Sequence, residues 1–274
     1  MKQKKRLFGK AIVNWGNENL RDFSWRHDLS PYKVFIVEFL LKRTTSTAAR
    51  RIYAEFLVRY PNIQSIADAK LCDIETMLKS IGLYRQRSAG IKKAAEYILD
   101  HHNGHLPSNF NDLLKVPHIG SYTAGAIMSF GFDKPAPIID SNVRRVVIRV
   151  FRDSLRDDKS DEPIMEILGD AFPKNKSKLF NWSLIDIGAT VCSYRSLKCT
   201  QCPLEKFCDH LSATKTKRLE YSKAYIDKAK ANSKVLSTLK VPNRYVNLKA
   251  RSKFLVLSIE QYCPLFCTRT SLHS

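Results

Sequence analysis

The sequence has no hydrophobic stretch long enough to cross a lipid bilayer and no apparent secretory signal. The longest apolar run near its start, residues 34–41 (VFIVEFLL), is interrupted by Glu38, whereas a spanning helix needs about 20 apolar residues. The segment MKQKKRLFGK that begins the sequence lacks the apolar core of a signal peptide. These absences argue against an integral membrane protein and a secreted disulfide scaffold, and we expect no membrane partner.

Acidic side chains are scarce. The 274 residues include 26 Asp and Glu against 46 Lys and Arg, a formal net charge of +20 at pH 7. So large an excess of one sign indicates a polyanionic partner, more often nucleic acid than an anionic membrane surface. The hydrophobic share of 44% is typical of a globular protein, and the length suggests two domains or one domain with appendages.

Glycine is absent after Gly188, so the end of the chain differs in composition from the body, and we place a boundary near Ser212. Residues 213–240 carry eight Lys or Arg against two acids, which is typical of a basic helix or a disordered arm. Residues 254–267 (FLVLSIEQYCPLFC) have the pattern of two short strands around a turn.

Helical periodicity dominates the body of the chain. Ser30 followed by Pro31 is an N-cap with proline at the first helical position, and an apolar segment follows. Apolar residues recur every three or four positions in several later segments, and no convincing run of alternating strand residues precedes the tail. The predicted fold class is all-α.

Four of the seven cysteines form a cluster with the spacing C-x6-C-x2-C-x5-C. An odd total with four cysteines so close together argues against a disulfide framework and favours a metal site. Four thiolates suit either tetrahedral zinc or an iron–sulfur cubane, and unrelated buried cysteines are the alternative. The four residues are Cys192, Cys199, Cys202 and Cys208.

Residues 116–127 (VPHIGSYTAGAI) predict a tight turn that leads into a helix. Gly120 can take a positive φ or allow another backbone to approach, and Ser121 or Thr123 can serve the helix start. Free N–H groups there would bind a phosphate without reading base sequence. A plain connection between two helices, without a ligand, is the alternative.

Two carboxylates stand in unusual surroundings. Glu38 lies between Val37 and Phe39 in the most apolar helix, where it would reach solvent, form an ion pair, or be kept partly protonated by burial. Asp140 precedes an amphipathic helix, where it is either an N-cap or a carboxylate that stabilises a developing positive charge on a sugar.

These segments resemble the helix–hairpin–helix superfamily of DNA glycosylases that includes endonuclease III and adenine glycosylase. Residues 139–146 (IDSNVRRV) resemble its V-D-x-N-V-x-R-V segment, and residues 116–120 resemble its Leu-Pro-Gly-Val-Gly turn with His118 at the first glycine. Trp25-Arg26, residues 30–32 and residues 37–41 resemble the adenine glycosylase opening. The resemblance runs from about Asn14 to His210.

The resemblance implies two helical domains and a cofactor. A helical barrel with the hairpin would comprise residues 30–134, and an iron–sulfur domain would comprise residues 1–29 and 135–212. A basic tail of unknown role, residues 213–274, would follow. In the family the four cysteines hold a structural [4Fe–4S] cluster that positions a basic loop on DNA.

The resemblance also implies a catalytic set. Asp140 would be the catalytic carboxylate and Glu38 the acid/base. Tyr122 stands where bifunctional endonuclease III enzymes carry a nucleophilic lysine, and a tyrosine cannot form a Schiff base. We therefore expect a monofunctional glycosylase without efficient lyase activity, in which Tyr122 closes the pocket.

Several DNA contacts follow from the resemblance by position. Arg43 and Leu83 would fill the gap left by a flipped nucleotide, and Gln86 and Arg87 would contact the opposite strand. The hairpin residues expected to hold the DNA backbone are His118, Gly120 and Thr123.

The same resemblance suggests the substrate. Residues 42–45 (KRTT) and 82–87 (GLYRQR) differ from the Gln-Gln-Thr and Gly-Tyr-Tyr-x-Arg segments of adenine glycosylases. They are more similar to archaeal thymine–DNA mismatch glycosylases, and Tyr122 agrees with that group. We expect base excision repair of thymine or uracil opposite guanine, with adenine opposite 8-oxoguanine or guanine as the alternative.

Other classes of protein stay open at this level. A non-catalytic DNA-binding iron–sulfur protein, an electron carrier and a lyase-competent endonuclease each explain part of the pattern. The expected partner is double-stranded DNA that contains a mismatched or damaged base. We expect a monomer and, in a prokaryote, a location in the cytoplasm with the nucleoid.

Overall fold

The computed structural model describes residues 1–155, 160–173, 175–214 and 224. Residues 1–214 form one compact unit. Apart from one bridge between Cys192 and Leu197, the described residues contain no β structure, so the all-α prediction is confirmed for this part of the chain. Nearly all of the predicted tail, including the suggested strands of residues 254–267, lies outside the described residues. No helix among the described residues has the length and apolar character needed to span a membrane.

The described residues include α1 (Lys2–Asn19), α2 (Pro31–Leu41), α3 (Ser46–Arg59), α4 (Ile63–Asp68), α5 (Leu71–Leu78), α6 (Tyr84–His102), α7 (Phe110–Lys115), α8 (Ser121–Ala126), α9 (Ser141–Val150), α10 (Arg152–Leu155), α11 (Glu162–Ala171) and α12 (Ser177–Asp186). Residues 209–214 are also helical. Helices α8 and α12 continue as π-helical turns at Ile127–Gly131 and Ile187–Val191. Short 3₁₀ turns lie at Ser24–Arg26, Cys199–Gln201 and Glu205–Phe207.

Helix α2 is the central helix of the molecule. Its start follows the predicted signal, because the Ser30 hydroxyl accepts a hydrogen bond from the Lys33 amide at 3.2 Å and Pro31 occupies the first turn. Every residue from 34 to 40 is buried. A helix that is apolar on all sides can only be stable inside a core, and this position brings Glu38 into the interior.

The buried apolar side chains form two separate clusters. One extends from Trp25 to Ile138 and surrounds α2. The other combines α1 with side chains between Val143 and Leu204, from α9 to the cysteine loop. Helix α1 packs against α11 and α12. The first cluster includes Trp25 and Ile138, which the resemblance assigns to the iron–sulfur domain, so the clusters match the predicted segments only in part. The domain boundaries stay a prediction.

The close contact between α1 and α11 requires glycine at position 9. A Cβ atom added to Gly9 would lie 2.1 Å from the backbone oxygen of Ala171, which cannot move without shifting α11. Gly9→Ala is therefore expected to lower the free energy of unfolding by about 1–3 kcal/mol, although alanine favours helices over glycine by about 1 kcal/mol.

Gly169, in α11, is the matched control, because an added Cβ there meets nothing within 4 Å. Gly169→Ala should leave stability unchanged or raise it by up to about 1 kcal/mol. Urea unfolding of both variants measures the difference. Equal effects of the two substitutions would contradict the close approach of α1 and α11.

Candidate active site

Glu38 lies on α2 with its side chain in the interior. The residue is 6% exposed. Burial raises the pKa of Glu38 to about 7, against a smaller opposing effect of a hydrogen bond with Tyr122, and repulsion from Asp140 raises it further. A carboxyl group with this pKa changes protonation state near neutral pH, which is the property required of a general acid or base.

Tyr122 reaches Glu38 from a different helix. It is the second residue of α8, and its hydroxyl lies near enough to the Glu38 carboxyl for each group to affect the pKa of the other. Burial, followed by repulsion from Glu38 and Asp140, raises the pKa of Tyr122 well above its usual range. The phenol therefore stays protonated and can donate to the carboxylate.

Asp140 is the N-cap of α9. Its Oδ1 accepts from the Val143 amide at 2.7 Å, and its Oδ2 accepts from Asn142 Nδ2 at 2.9 Å. The helix N-terminus and the asparagine amide both favour a negative charge here. Asp140 is near enough to Glu38 and Tyr122 to raise the pKa of each. The two explanations considered for Asp140, helix cap and electrostatic group, are compatible in one geometry.

A chain of hydrogen bonds links Asp140 to the cysteine loop. Asn142 Oδ1 accepts from Arg145 Nη2 at 2.8 Å. The same nitrogen donates to the Gly188 carbonyl at 2.7 Å, and Arg145 Nε donates to the Cys192 carbonyl at 2.9 Å. The orientation of the Asp140 carboxylate thus depends on the backbone that carries the first cysteine.

Glu38 and Tyr122 line a cavity of about 120 Å³. Aromatic rings form part of its wall, since Phe130 and Trp182 stack with ring centroids 5.0 Å apart. Asp140 is not among the residues that line this cavity. A small recess with flat apolar walls and one titratable carboxyl group is suited to a planar heterocycle.

An ion pair that we did not predict from the sequence supports this wall. Asp186, which is fully buried, binds Arg26 Nη1 at 2.7 Å and Arg21 Nη2 at 2.6 Å. Burial opposes the charge, but Arg26 and Arg21 together lower the pKa of Asp186. The Arg26 guanidinium lies 5.2 Å from the Trp182 ring centroid. The signal was available, because Asp186 interrupts an apolar helix as Glu38 does.

The exposed residues expected to meet DNA lie on two turns. Arg43 and Leu83 are exposed, and both have left-handed backbone conformations, with φ of 50° and 59°. Gln86 is also exposed. Arg87 differs from this prediction. It is 5% exposed, and its guanidinium binds backbone carbonyls inside the protein, so it is not a surface contact to the opposite strand.

The hairpin turn accommodates His118 at the position of the family's first glycine. His118 has a φ of 64°, a conformation that histidine tolerates better than β-branched residues do. A Cβ on Gly90 would lie 3.3 Å from the His118 ring, so the glycine in α6 leaves room for the imidazole. Lys42 Nζ donates to the His118 carbonyl at 2.7 Å.

The start of α8 is open to solvent. Gly120 is the N-cap with a φ of −94°, so its freedom to adopt a positive φ is not used, and no atom lies within 4 Å of an added Cβ. No side chain caps this helix. Thr123 is 4% exposed, so its side chain faces the interior. Backbone N–H groups of this first turn are the groups positioned to bind a phosphate.

The four clustered cysteines line one largely apolar cavity. Burial, with repulsion from the other three cysteines, raises the pKa of Cys202 to about 11. Arg149 Nη1 donates to Cys192 Sγ at 3.2 Å. Among the described residues, no three potential ligands are close enough together to hold a single metal ion as they stand. A cubane, whose corners separate its four ligands, requires wider spacing than one zinc ion does.

Comparison with known proteins identifies the family. Residues 36–174, just over half of the chain, match the family model described as "HhH-GPD superfamily base excision DNA repair protein". The chain is 33% identical over 215 residues to the thymine/uracil-DNA glycosylase of Methanothermobacter thermautotrophicus. The aligned residues cover 78% of this chain and 97% of that protein. It is 35% identical over 207 residues to the adenine DNA glycosylase of Buchnera aphidicola subsp. Acyrthosiphon pisum (strain APS), which covers 74% of this chain but 59% of that protein.

Solved structures of DNA glycosylases have a similar fold. A thermostable thymine-DNA glycosylase superposes with a TM-score of 0.74 at 32% identity, covering 77% of this chain and 98% of the other. Endonuclease III in a non-covalent DNA complex superposes with a TM-score of 0.69 over 79% of this chain and 99% of the other, at 24% identity, which supports the fold alone. The resemblance proposed from the sequence is confirmed, and the chain belongs to the HhH-GPD superfamily of base excision repair DNA glycosylases.

Proposed function

We propose that this protein is a monofunctional DNA glycosylase that hydrolyses the N-glycosidic bond of thymine or uracil opposite guanine. The observation that carries the proposal is the meeting of three groups from three helices. Glu38 and Tyr122 line one cavity and affect each other's pKa, and Asp140 lies near enough to affect the pKa of both. The relative from Methanothermobacter thermautotrophicus is named for the same two bases.

The proposed reaction divides the work between the two carboxyl groups. The mispaired nucleotide flips out of the duplex, and its base enters the cavity beside Glu38. Protonated Glu38 donates its proton to the departing base, and the carboxylate that results then activates water by accepting a proton from it. Asp140 stabilises the oxocarbenium-like sugar by its negative charge. Tyr122 holds Glu38 in place and closes the cavity.

The lining of the cavity supports hydrolysis without strand cleavage. A lyase needs an amine that attacks the sugar and forms a Schiff base. The residues that line the cavity include Arg21 and Arg26 but no lysine. Lys42 is near enough to affect the pKa of Glu38, but its amine donates to the His118 carbonyl.

Adenine excision is the second candidate. The identity of 35% to an adenine glycosylase favours it, whereas the segments 42–45 and 82–87 favour the thymine group. Both reactions use the same carboxyl pair, so the site alone does not separate them.

A panel of duplex oligonucleotides tests the proposal. Duplexes with T·G, U·G, A·8-oxoguanine and A·G are incubated with the protein. Each sample is then divided into two halves, and one half is treated with alkali. We expect strand breaks in T·G and U·G only after alkali, which reveals abasic sites. Breaks without alkali would contradict the monofunctional assignment. Cleavage restricted to adenine pairs would establish the second candidate.

We further propose that the cysteine cavity holds a structural [4Fe–4S] cluster. The supporting feature is that all four cysteines line one cavity, where they could bind a single cluster. Because a bound cluster replaces the thiol protons and neutralises the thiolates, binding would stabilise the folded chain. Its role is structural: it would hold the cysteine loop against α9.

Cys202→Ser is expected to lose most of the bound iron and to lower the melting temperature. Native protein should contain four iron and four sulfide per chain and show the broad visible absorption of iron–sulfur proteins. Cys72→Ser is the control, because Cys72 is exposed on α5, and it should keep its iron. One zinc per chain, without sulfide, would contradict the cluster.

A further inference from the structure

Arg87 is a buried cation with no role in the proposed chemistry. Its Nη1 donates to the carbonyl of Phe39 in the last turn of α2. Its Nη2 lies 2.8 Å from the Lys42 carbonyl and 2.8 Å from Thr44 Oγ1. Carbonyls in the last turn of a helix have no partner within the helix, so the guanidinium supplies one and holds the segment on both sides of Arg43.

The same side chain holds a second segment. Arg87 Nη2 also lies 2.9 Å from the Gly82 carbonyl, the residue before Leu83. Arg43 and Leu83 both have positive φ, which is unfavourable for residues with a Cβ atom and persists only where surrounding contacts impose it. One guanidinium therefore fastens the two turns that present these exposed side chains.

We propose that Arg87 is a positioning residue that holds Arg43 and Leu83 together as a preformed pair for insertion into the DNA helix. The inference rests on the proposed function, in which these side chains fill the gap left by the flipped nucleotide. We call Arg43 and Leu83 together the wedge. Side chains that are already ordered before binding lose less conformational entropy when they enter DNA. Arg87 itself is 5% exposed, and its two terminal nitrogens bind acceptors within the protein.

The chemistry requires arginine in particular. The guanidinium is planar and carries five N–H donors in a fixed fork, so one side chain can bind several acceptors in different directions. The ammonium group of lysine keeps the charge but has a single nitrogen, so it cannot bind the Phe39 carbonyl, which Nη1 contacts, together with the acceptors that lie around Nη2. Arg87→Lys therefore separates the geometry of the contacts from the charge.

The first test needs no DNA. Hydrogen–deuterium exchange of the Arg87→Lys variant is expected to increase in residues 42–45 and in residues 82–87 together. Arg85→Lys is the matched control, because Arg85 is exposed beside Tyr84, and it should leave both segments unchanged. Unchanged exchange in Arg87→Lys, or an increase in only one segment, would overturn the proposal.

The second test asks whether Arg87 acts through the wedge. Single-turnover base release from a mismatch that the wild type cleaves should fall roughly 10- to 100-fold in Arg87→Lys, since misplacement by about 1 Å can cost about 100-fold. In a Leu83→Ala background the same substitution should cost less than about 3-fold, because residues in one unit are not additive. An equal loss in both backgrounds would overturn the proposal.

Two further arrangements keep the result interpretable. If Arg87→Lys does not fold, Thr44→Val removes one contact of Arg87. The effect of Thr44→Val on base release is then compared in the wild-type and Leu83→Ala backgrounds, and an equal loss in both would overturn the proposal. If wild-type protein releases no base from any mismatch, the proposed function is refuted. The exchange experiment still decides whether Arg87 holds both segments.

Discussion

Asp140→Asn is expected to lower the rate of base release by at least about 1,000-fold, the scale of losing a preorganised electrostatic group, with little change in DNA affinity. The substitution removes the negative charge that would face the sugar cation. Binding to duplex DNA is dominated by phosphate contacts, which it leaves intact.

The fold should survive this change. Asparagine caps helices as well as aspartate does, and its side-chain oxygen can still accept from the Val143 amide, which lies 2.7 Å from Oδ1. The amide nitrogen replaces Oδ2, so the hydrogen bond from Asn142 Nδ2 is lost. We expect a free energy of unfolding within about 1 kcal/mol of wild type. A loss of activity can then be read as a loss of charge.

Single-turnover kinetics and DNA binding measured on the same preparation check this result. Asp68→Asn is the control, because Asp68 is exposed on α4 and accepts only from Gln64 among the described side chains, and its activity should be normal. An Asp140→Asn enzyme within 10-fold of wild type would remove Asp140 from the mechanism.

Glu38→Gln is expected to lower base release by about 100- to 10,000-fold, the range for a general acid or base. The same variant should be more stable than wild type above neutral pH. The glutamine keeps the size of the side chain but cannot release or accept a proton. This combination of lost activity and gained stability is characteristic of a buried functional carboxyl group.

The sign of the stability effect follows from the pKa. Burial raises the pKa of Glu38 from 4.5 to about 7, so between these values the folded state holds a proton that the unfolded state has lost. Stability therefore falls as pH rises through this window. Above pH 7 the full cost, about 3 kcal/mol, is present in wild type and absent from Glu38→Gln. Below about pH 4.5 the two proteins should differ little.

Urea unfolding of wild type and Glu38→Gln from pH 5 to pH 8.5 tests the linkage. Glu55→Gln, at an exposed position on α3, is the control and should show no such pH dependence. A constant difference between wild type and Glu38→Gln across this range would mean that Glu38 titrates near its ordinary value. Rates of base release for wild type over the same range report the protonation state that catalysis needs.

Several local features of the structure could be predicted from the sequence. The Ser30-Pro31 start of α2, the amphipathic helix after Asp140 and the position of Glu38 in an apolar segment were predicted from spacing and capping alone. These features depend on neighbours within a few residues, for which periodicity and N-cap chemistry are sufficient. The family resemblance added the pairing of Glu38 with Asp140.

Other roles could not be determined locally. Arg87 was expected on the DNA surface, and a polar residue in an arginine-rich segment gives no sign that its guanidinium binds the carbonyls of Phe39 and Lys42. Thr123 was expected to help the hairpin hold the DNA backbone, and its sequence gives no sign that its side chain faces the interior. Asp186 was overlooked because its partners, Arg21 and Arg26, are distant in sequence.

The sequence by itself determined that the body of the chain is helical, where α2 and α9 begin, which side chains carry the candidate chemistry, and the excess positive charge. Only the tertiary structure decided which of those side chains face the cavity, which face solvent and which hold the backbone. The physical reason is that capping and periodicity act between residues close in the chain. Burial, ion pairing and pKa shifts are set by residues from distant helices, such as α2, α8 and α9, that meet only after the core has packed.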